Sequence, residues 1–417
     1  MDAKRERYTP NDVGPSPLEW KAPRLSEVST LITNGFVGTA TPFYTDITGV
    51  PYLYGTNVRA NKLETNEIRY VTREFHTAQS KTALKAGDLL TVQSGHIGET
   101  AVVTDQFHGA NCHALIVTRL KQEKADPHYL CFYVNSEIGR ARMKGLEVGS
   151  TILHINTKDL KKFRVLLPSL PEQKKIAQIL STRDKAISVT EKLLANSQRQ
   201  KKALMQQLLT GKKRLLNENG GRFIGEWCTC TLSEVAHIIM GSSPKSEAYN
   251  DNGLGLPLIQ GNADIKCRVS CPRVYTSDIT KECSPGDILL SVRAPVGTVA
   301  LSQHKACIGR GISAIKSKRK MSQSFLYQWF LWFEPKWCYL SQGSTFESIN
   351  SDDIKTLKLS VPNFEEQQKI ATVLSAADDE IATLEKKLAC LKDEKKALMQ
   401  QLLTGKRRVK IDEAVAA

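Results

Sequence analysis

Twelve consecutive residues occur twice in this chain, letter for letter: Lys201 to Lys212 and Lys395 to Lys406 both read KKALMQQLLTGK. An identity of that length means that the fold must contain one structural unit twice. The same displacement superposes Pro168 on Pro362, Glu172-Gln173 on Glu366-Gln367, Lys175-Ile176-Ala177 on Lys369-Ile370-Ala371 and Leu180-Ser181 on Leu374-Ser375, without a gap from Pro168 to about Arg214. Upstream the likeness is fainter but persists. It runs through Gly149-Ser150-Thr151 with Gly343-Ser344-Thr345, Ile155-Asn156 with Ile349-Asn350, Gly87-Asp88-Leu89-Leu90 with Gly286-Asp287-Ile288-Leu289, and Gly98 with Gly297. It then reaches Pro51 and Gly55 with Pro257 and Gly261, and Trp20 and Leu25 to Val28 with Trp227 and Leu232 to Val235. The chain is a tandem pair, each unit being a variable domain followed by a nearly invariant segment.

The repeated segments have helical periodicity. In the second copy Ile370, Leu374, Ala377, Ile381, Leu384, Leu388, Leu391, Leu398 and Leu402 alternate by fours and threes, with Lys395 the single polar interruption. That is a heptad seam. The first copy keeps the rhythm at Leu180, Ile187, Leu194 and Leu208 but places Arg183, Thr190, Ser197 and Lys201 on or beside the stripe. Glu172 and Glu366 near the starts suit the helix dipole, and the Gly-Lys pairs at 211 and 405 suit a glycine stop. Each helix should span roughly 40 residues, ~60 Å at 1.5 Å per residue. Two such seams in one chain can bury each other, and like domains before each favour antiparallel pairing, with the pair acting as a ruler. The alternative for such a stripe is a dimerisation coiled coil or a core helix pair.

Between Leu25 and Leu167, ahead of the first helical segment, glycines at 35, 38, 49, 55, 87, 95 and 98 punctuate short β-rich runs such as Leu89 to Val92 and Ala101 to Thr104. Short strands with glycine turns predict a curved sheet or half-barrel. The fold class expected is α+β: two mainly β, half-barrel-like domains with short helices, separated by two long helices forming an antiparallel intramolecular coiled coil. The aromatic run Phe325 to Phe333 aligns roughly with Tyr129 to Val134 and reads as a core helix rather than a stacking platform. It is also far shorter than the ~20 residues of a membrane span.

An excess of 58 Lys+Arg over 43 Asp+Glu leaves a net charge of +15, which favours polyanionic partners such as DNA or RNA. Residues 1–17 lack an apolar stretch and read as a mobile arm, so a soluble, cytoplasmic protein is expected. Ten cysteines include Cys228-x-Cys230 and Cys267-x3-Cys271, but the spacings do not form paired zinc knuckles; no metal site is expected and free thiols are. Polar and basic residues gather near the glycines: Asn57, Arg59, Asn61 and Lys62 in the first domain, and Gln260, Asn262, Lys266 and Arg268 in the second. A further group follows the Gly-Asp turns, Gln93, Ser94 and His96 against Ser291 and Arg293; Ser243, Lys245 and Arg310 complete the DNA-contact candidates. Asn and Gln can pair with adenine and Arg with guanine, while the alternative for each is a solvated loop side chain or a turn hydrogen bond.

The tandem architecture, the Gly-Asp-Leu-Leu and Gly-Asp-Ile-Leu turns, and helices that open on Pro-x-x-x-Glu-Gln and close on Leu-Leu-Thr-Gly-Lys resemble the specificity subunit of type I restriction-modification systems over nearly the whole chain. The resemblance implies target-recognition domains at 18–167 and 226–361, each reading one half of a split, asymmetric DNA site. It implies spacer helices at 168–214 and 362–405, joined by a linker at 215–225 and followed by a tail at 406–417. It further implies two methyltransferase subunits as partners, with motor-nuclease subunits joining them. S-adenosylmethionine, ATP and Mg2+ would be used by those partners and none bound by this chain. No Gly-x4-Gly-Lys-Ser/Thr phosphate loop and no adenine-methyltransferase Asn-Pro-Pro-Phe or Asp-Pro-Pro-Tyr run is present, so the chain should not be an enzyme by itself. Two other readings stay open: a nuclease or fused methyltransferase with an unrecognised active site, and a coiled-coil interaction scaffold with only non-specific DNA binding.

Overall fold

The computed structural model describes residues 8–9, 16–147, 153–337 and 348–411. The Gly-Ser-Thr repeats at 149–151 and 343–345, most of the arm at 1–17 and the end of the tail lie outside the described residues. Within the arm, Tyr8–Thr9 pairs antiparallel with Ser16–Pro17. The chain divides into two compact units, residues 1–190 with 387–417, and residues 191–386. Each contains one variable domain and one half of each long helix.

In the first unit, strands Thr100–Val102, Leu89–Val92, Leu115–Leu120 and Ser29–Asn34 form an antiparallel sheet in that order. A smaller sheet runs Asn111–Cys112, Val50–Leu53, Arg69–Val71, Tyr44–Thr45, its first pair parallel. The second unit repeats this order with Val299–Leu301, Ile288–Ser291, Ile312–Ser317 and Ala236–Met240. Its smaller sheet centres on Ala306–Ile308, Leu256–Ile259, Val274–Thr276 and Tyr249–Asn250, again with one parallel pair. Among the described residues none of these sheets closes on itself, so helices and open sheets are mixed as expected and there is no closed barrel. The aromatic run forms the helix Gln323–Phe333, capped by Ser322, whose Oγ accepts from the Phe325 amide at 3.3 Å. Phe325, Leu326, Trp329 and Phe330 are buried, as a core helix requires.

The repeated segments are helices of 39 residues each, Leu170–Leu208 (the central helix) and Phe364–Leu402 (the C-terminal helix). Their outer turns belong to the domain cores. Ile176 and Leu180 pack with Trp20, Tyr129 and Leu402 in the first unit, and Leu208, Ile370 and Leu374 pack with Phe325 and Trp329 in the second. Burial of these side chains stabilises by about 1.5–3 kcal/mol each, which is why the heptad leucines at the ends are the best buried. Nearer the middle, Ile187, Leu194, Ile381, Leu384, Leu388 and Leu391 are only half-buried, because one helix can cover only one face of another.

The pairing is antiparallel in each unit. In the first, Glu172 meets Arg408 whereas Arg183 and Asp184 meet Glu394 and Lys395. In the second, Ser197, Lys201 and Arg214 meet Glu380, Asp378 and Glu366. Lys201 and Lys395, which sit awkwardly on an apolar stripe, are thereby explained: each is largely shielded and paired with an aspartate of the opposite helix, Lys395 to Asp184 at 2.5 Å and Lys201 to Asp378. Because the segments are duplicates, a parallel pairing in register would set lysine against lysine. Antiparallel pairing sets lysine against aspartate twice, which is how polar residues at seam positions select an orientation.

The helix ends carry a second duplicated pair. Arg214 Nε and Nη2 donate to both oxygens of Glu366 at 2.6 Å, and Arg408 Nε and Nη2 donate to Glu172 at 2.7 and 2.9 Å. Glu366 and Glu172 are 0% and 1% exposed. The glutamates suited to the helix dipole therefore also clamp the start of one helix to the chain leaving the other. Gly211 and Gly405, both at φ 70°, end the helices, and the amides of Lys213 and Arg407 close the last turn on the carbonyls of Gln207 and Gln401 at 3.1 Å.

Candidate nucleic-acid interface

The DNA-contact candidates fall into two places in the first domain and three in the second. The first is a hairpin, Val58–Arg59 with Lys62–Leu63. Asn57 at its base is buried, its Oδ1 accepting from the Tyr54 amide at 2.9 Å and its Nδ2 donating to the carbonyls of Glu64 and Asn66. Arg59 Nη1 donates to the Val58 carbonyl at 2.9 Å, and Lys62 pairs with Glu64. Asn61, at φ 66°, is held by Asn135 Nδ2 at 2.9 Å. The second domain repeats this with Asp264, buried and accepting from the Gln260 amide, and with exposed Lys266 and Arg268, the latter paired with Glu334. Asn262 opens the short turn before the hairpin. In each unit the hairpin tip borders a groove whose other wall is a long helix: Asn61 with Lys392 and Lys396 in one, Arg268 with Gln198 and Lys202 in the other.

The second place is the turn after the Gly-Asp strands. Gln93 is half-buried, its carbonyl accepting from Ile155, and Ser94 and His96 are exposed. Arg293 is exposed beside the cis Ala294–Pro295 bond.

The third place is where three loops meet over the smaller sheet, and the strand register shows that it is the same face in both domains. Pro51 and Pro257 lie opposite Tyr70 and Tyr275, so Tyr52 corresponds to Leu258 and Arg69 to Val274. The parallel pairs align Cys112 with Ile308, hence His113 with Gly309, and Tyr54 with Gln260. The Phe36 and Ser242 amides donate to the Cys112 and Ile308 carbonyls, both at 3.0 Å. In the second domain these loops bring together Gln260 and the exposed Ser243 and Arg310. A Cβ on Gly311 would stand 2.4 Å from the Gln260 carbonyl oxygen, so the backbone there admits only glycine. Lys245 lies on the same loop as Ser243, its amide donating to Asp278.

In the first domain the same face is aromatic, and no periodicity reveals it in the sequence. Tyr54 stacks on His113 with ring centroids 4.9 Å apart, and Tyr52 Oη meets His113 Nδ1 at 3.1 Å. Phe36 packs edge-on against Phe75 at 5.0 Å. The Arg69 guanidinium lies 5.2 Å from the Tyr44 ring centre and 5.1 Å from that of Tyr54, and its Nη1 donates to Tyr44 Oη at 2.9 Å. The Tyr44 and Tyr54 hydroxyls also bond to each other. Burial, then the Tyr44 contact, pushes the Tyr54 hydroxyl up to about 12; burial, then the Arg69 charge, lowers the His113 imidazole. Val37, Phe43 and Ile47 stand exposed on neighbouring loops, Ile47 at 78%.

Among the described residues, no group of three or more His, Cys, Asp or Glu is placed to hold a metal ion, and no helix is long and apolar enough to cross a membrane. Cys228 and Cys230 lie in a strand paired with Leu359 and Val361.

Fold and faces define a duplicated module: two like scaffolds with unlike surfaces, each packed in its own unit against part of both long helices. The family model for the type I restriction modification DNA specificity domain matches residues 17–196 and again 224–393. A Methanocaldococcus jannaschii protein, provisionally named the MjaX type I restriction enzyme specificity subunit, is 32% identical over 98% of both chains. The MjaVIII specificity subunit of the same organism is 26% identical over 70% of this chain and 74% of its own. Among solved structures, a chain from a study of complex assembly and conformational transition of the type I R-M system is 25% identical, with a TM-score of 0.57 over 94% of this chain and 99% of that one. The S subunit from M. genitalium shares the fold at a TM-score of 0.62 over 92% and 96%, at 15% identity. The chain belongs to the type I restriction-modification specificity-subunit family and carries two of its recognition domains.

Proposed function

We propose that each domain reads one half of a bipartite, asymmetric DNA site, and that the paired helices set the number of base pairs between the halves. The observation that carries this reading is the register-matched third face. Its scaffold positions agree (Pro51 and Pro257, Tyr70 and Tyr275, Tyr44 and Tyr249), while its surface positions differ (Arg69 and Val274, Tyr54 and Gln260, His113 and Gly309). Two readers of different half-sites need a common frame and unlike contacts. The +15 charge supplies attraction to the phosphate backbone but no sequence preference.

We further propose that the helices dock two methyltransferase subunits. On this reading the chain is non-catalytic and cytoplasmic. S-adenosylmethionine, ATP and Mg2+ serve the methyltransferase and motor-nuclease partners. Mapping adenine methylation across the genome of cells with and without this chain tests it. Loss of one split motif on deletion supports the reading, and an unchanged methylation map refutes it.

A further inference from the structure

We propose that Arg69 is a specificity-determining residue of the first domain and reads a guanine in that domain's half-site, with Tyr44 and Tyr54 holding its guanidinium ready. This rests on the half-site reading above and assigns it to a particular side chain. Arg69 is exposed, yet its head group is fixed: it sits against two tyrosine rings, and Nη1 donates to Tyr44 Oη. An arginine on a solvated surface loses rotamer freedom on binding; one already held by rings and a hydroxyl loses less, and its planar fork keeps one orientation.

A fork so held suits the O6 and N7 acceptors of guanine in the major groove better than a mobile phosphate. The tyrosines are themselves anchored, Tyr54 by stacking on His113 and Tyr44 by its bond to Tyr54. Val37, Phe43 and Ile47, exposed in the same domain, are apolar surfaces of the kind that meet a thymine methyl group. The second domain has Val274 at the matching place, so the contact belongs to one half-site alone.

The test uses the full chain assembled with its methyltransferase partners, assayed for methylation on duplexes randomised across the recognised motif. For Arg69→Ala, one guanine position in one half-site should become degenerate, its discrimination falling roughly 5- to 150-fold. The other half-site and the spacer should not change. Arg69→Lys, which keeps the charge and loses the fork, should relax the same position.

Uniform weakening across all sequences with recovery in Arg69→Lys would mean a phosphate contact and would overturn the assignment, as would an unchanged motif. A wild-type complex with no split motif would instead overturn the half-site reading, and this assignment with it. Melting curves of the two variants guard against misfolding, and the unaltered half-site is an internal control.

Discussion

Replacing Glu366 by glutamine isolates the clamp at the helix ends. The carboxylate is fully buried and takes both donated hydrogens of Arg214, whose side chain is 23% exposed. Glutamine keeps the volume but removes the charge: its Oε1 still accepts one hydrogen from Arg214, its NH2 group replaces the second acceptor with a donor, and the guanidinium keeps that one neutral contact and the Gly225 carbonyl. Breaking one side of a buried pair costs about 3–5 kcal/mol, and partial rehydration of Arg214 brings the expected loss to about 2–4 kcal/mol. The duplicated pair provides an internal comparison. Arg408 is 45% exposed and also meets Glu19 at 3.0 Å, so Glu172→Gln should cost less, about 1–2 kcal/mol. Hydrogen exchange reads this locally, in amides of Met205 to Leu209 for the first variant and of Leu402 to Thr404 for the second. Replacing both partners with apolar residues, Arg214→Met with Glu366→Leu, should recover most of the loss. A loss under about 1 kcal/mol for Glu366→Gln, or equal losses in the two variants, would refute the clamp as a stabilising contact.

The seam lysines should behave as orientation selectors. Lys395→Asp should destabilise the helix pairing by about 1–2 kcal/mol and Asp184→Lys added to it should restore stability, as measured by urea titration. Failure of the double variant to recover would contradict a direct pairing. His113 sets a pH dependence. Its folded value lies below 6.5, so the neutral ring favours the folded domain above that pH, and stability falls as pH drops from 6.5 towards the folded value. NMR titration should place His113 below 6.5, with Arg69→Ala raising it only in part because burial is the larger cause. A midpoint at or above 6.5 would contradict that environment.

Much of the helical frame was legible because it depends on local pattern. The repeat, the heptad leucines and the glycine stops each express one-dimensional physics, and the core helix at Phe325 to Phe333 follows from its unbroken apolarity. Lys395 was legible as an interruption but not as a partner of Asp184, since the pair closes only when the helices run in opposite directions. Asn57 illustrates the limit for the reading face. A polar residue beside a glycine looks like a base contact, yet here its amide is engaged on both sides within the hairpin. Phe36, Tyr44, Tyr54, Arg69 and His113 come from five separate loops or strands, and only the register of the smaller sheet brings them together. Side-chain type alone could not single out Arg69 from the other arginines.

Removing four residues from the half-buried middle of the central helix shortens it by about 6 Å, close to two base pairs of duplex. Methylation mapping with this variant should return both half-sites unaltered and a spacer of different length. The same two half-sites at the same spacing, methylated as well as before, would show that the helices do not set the distance between readers.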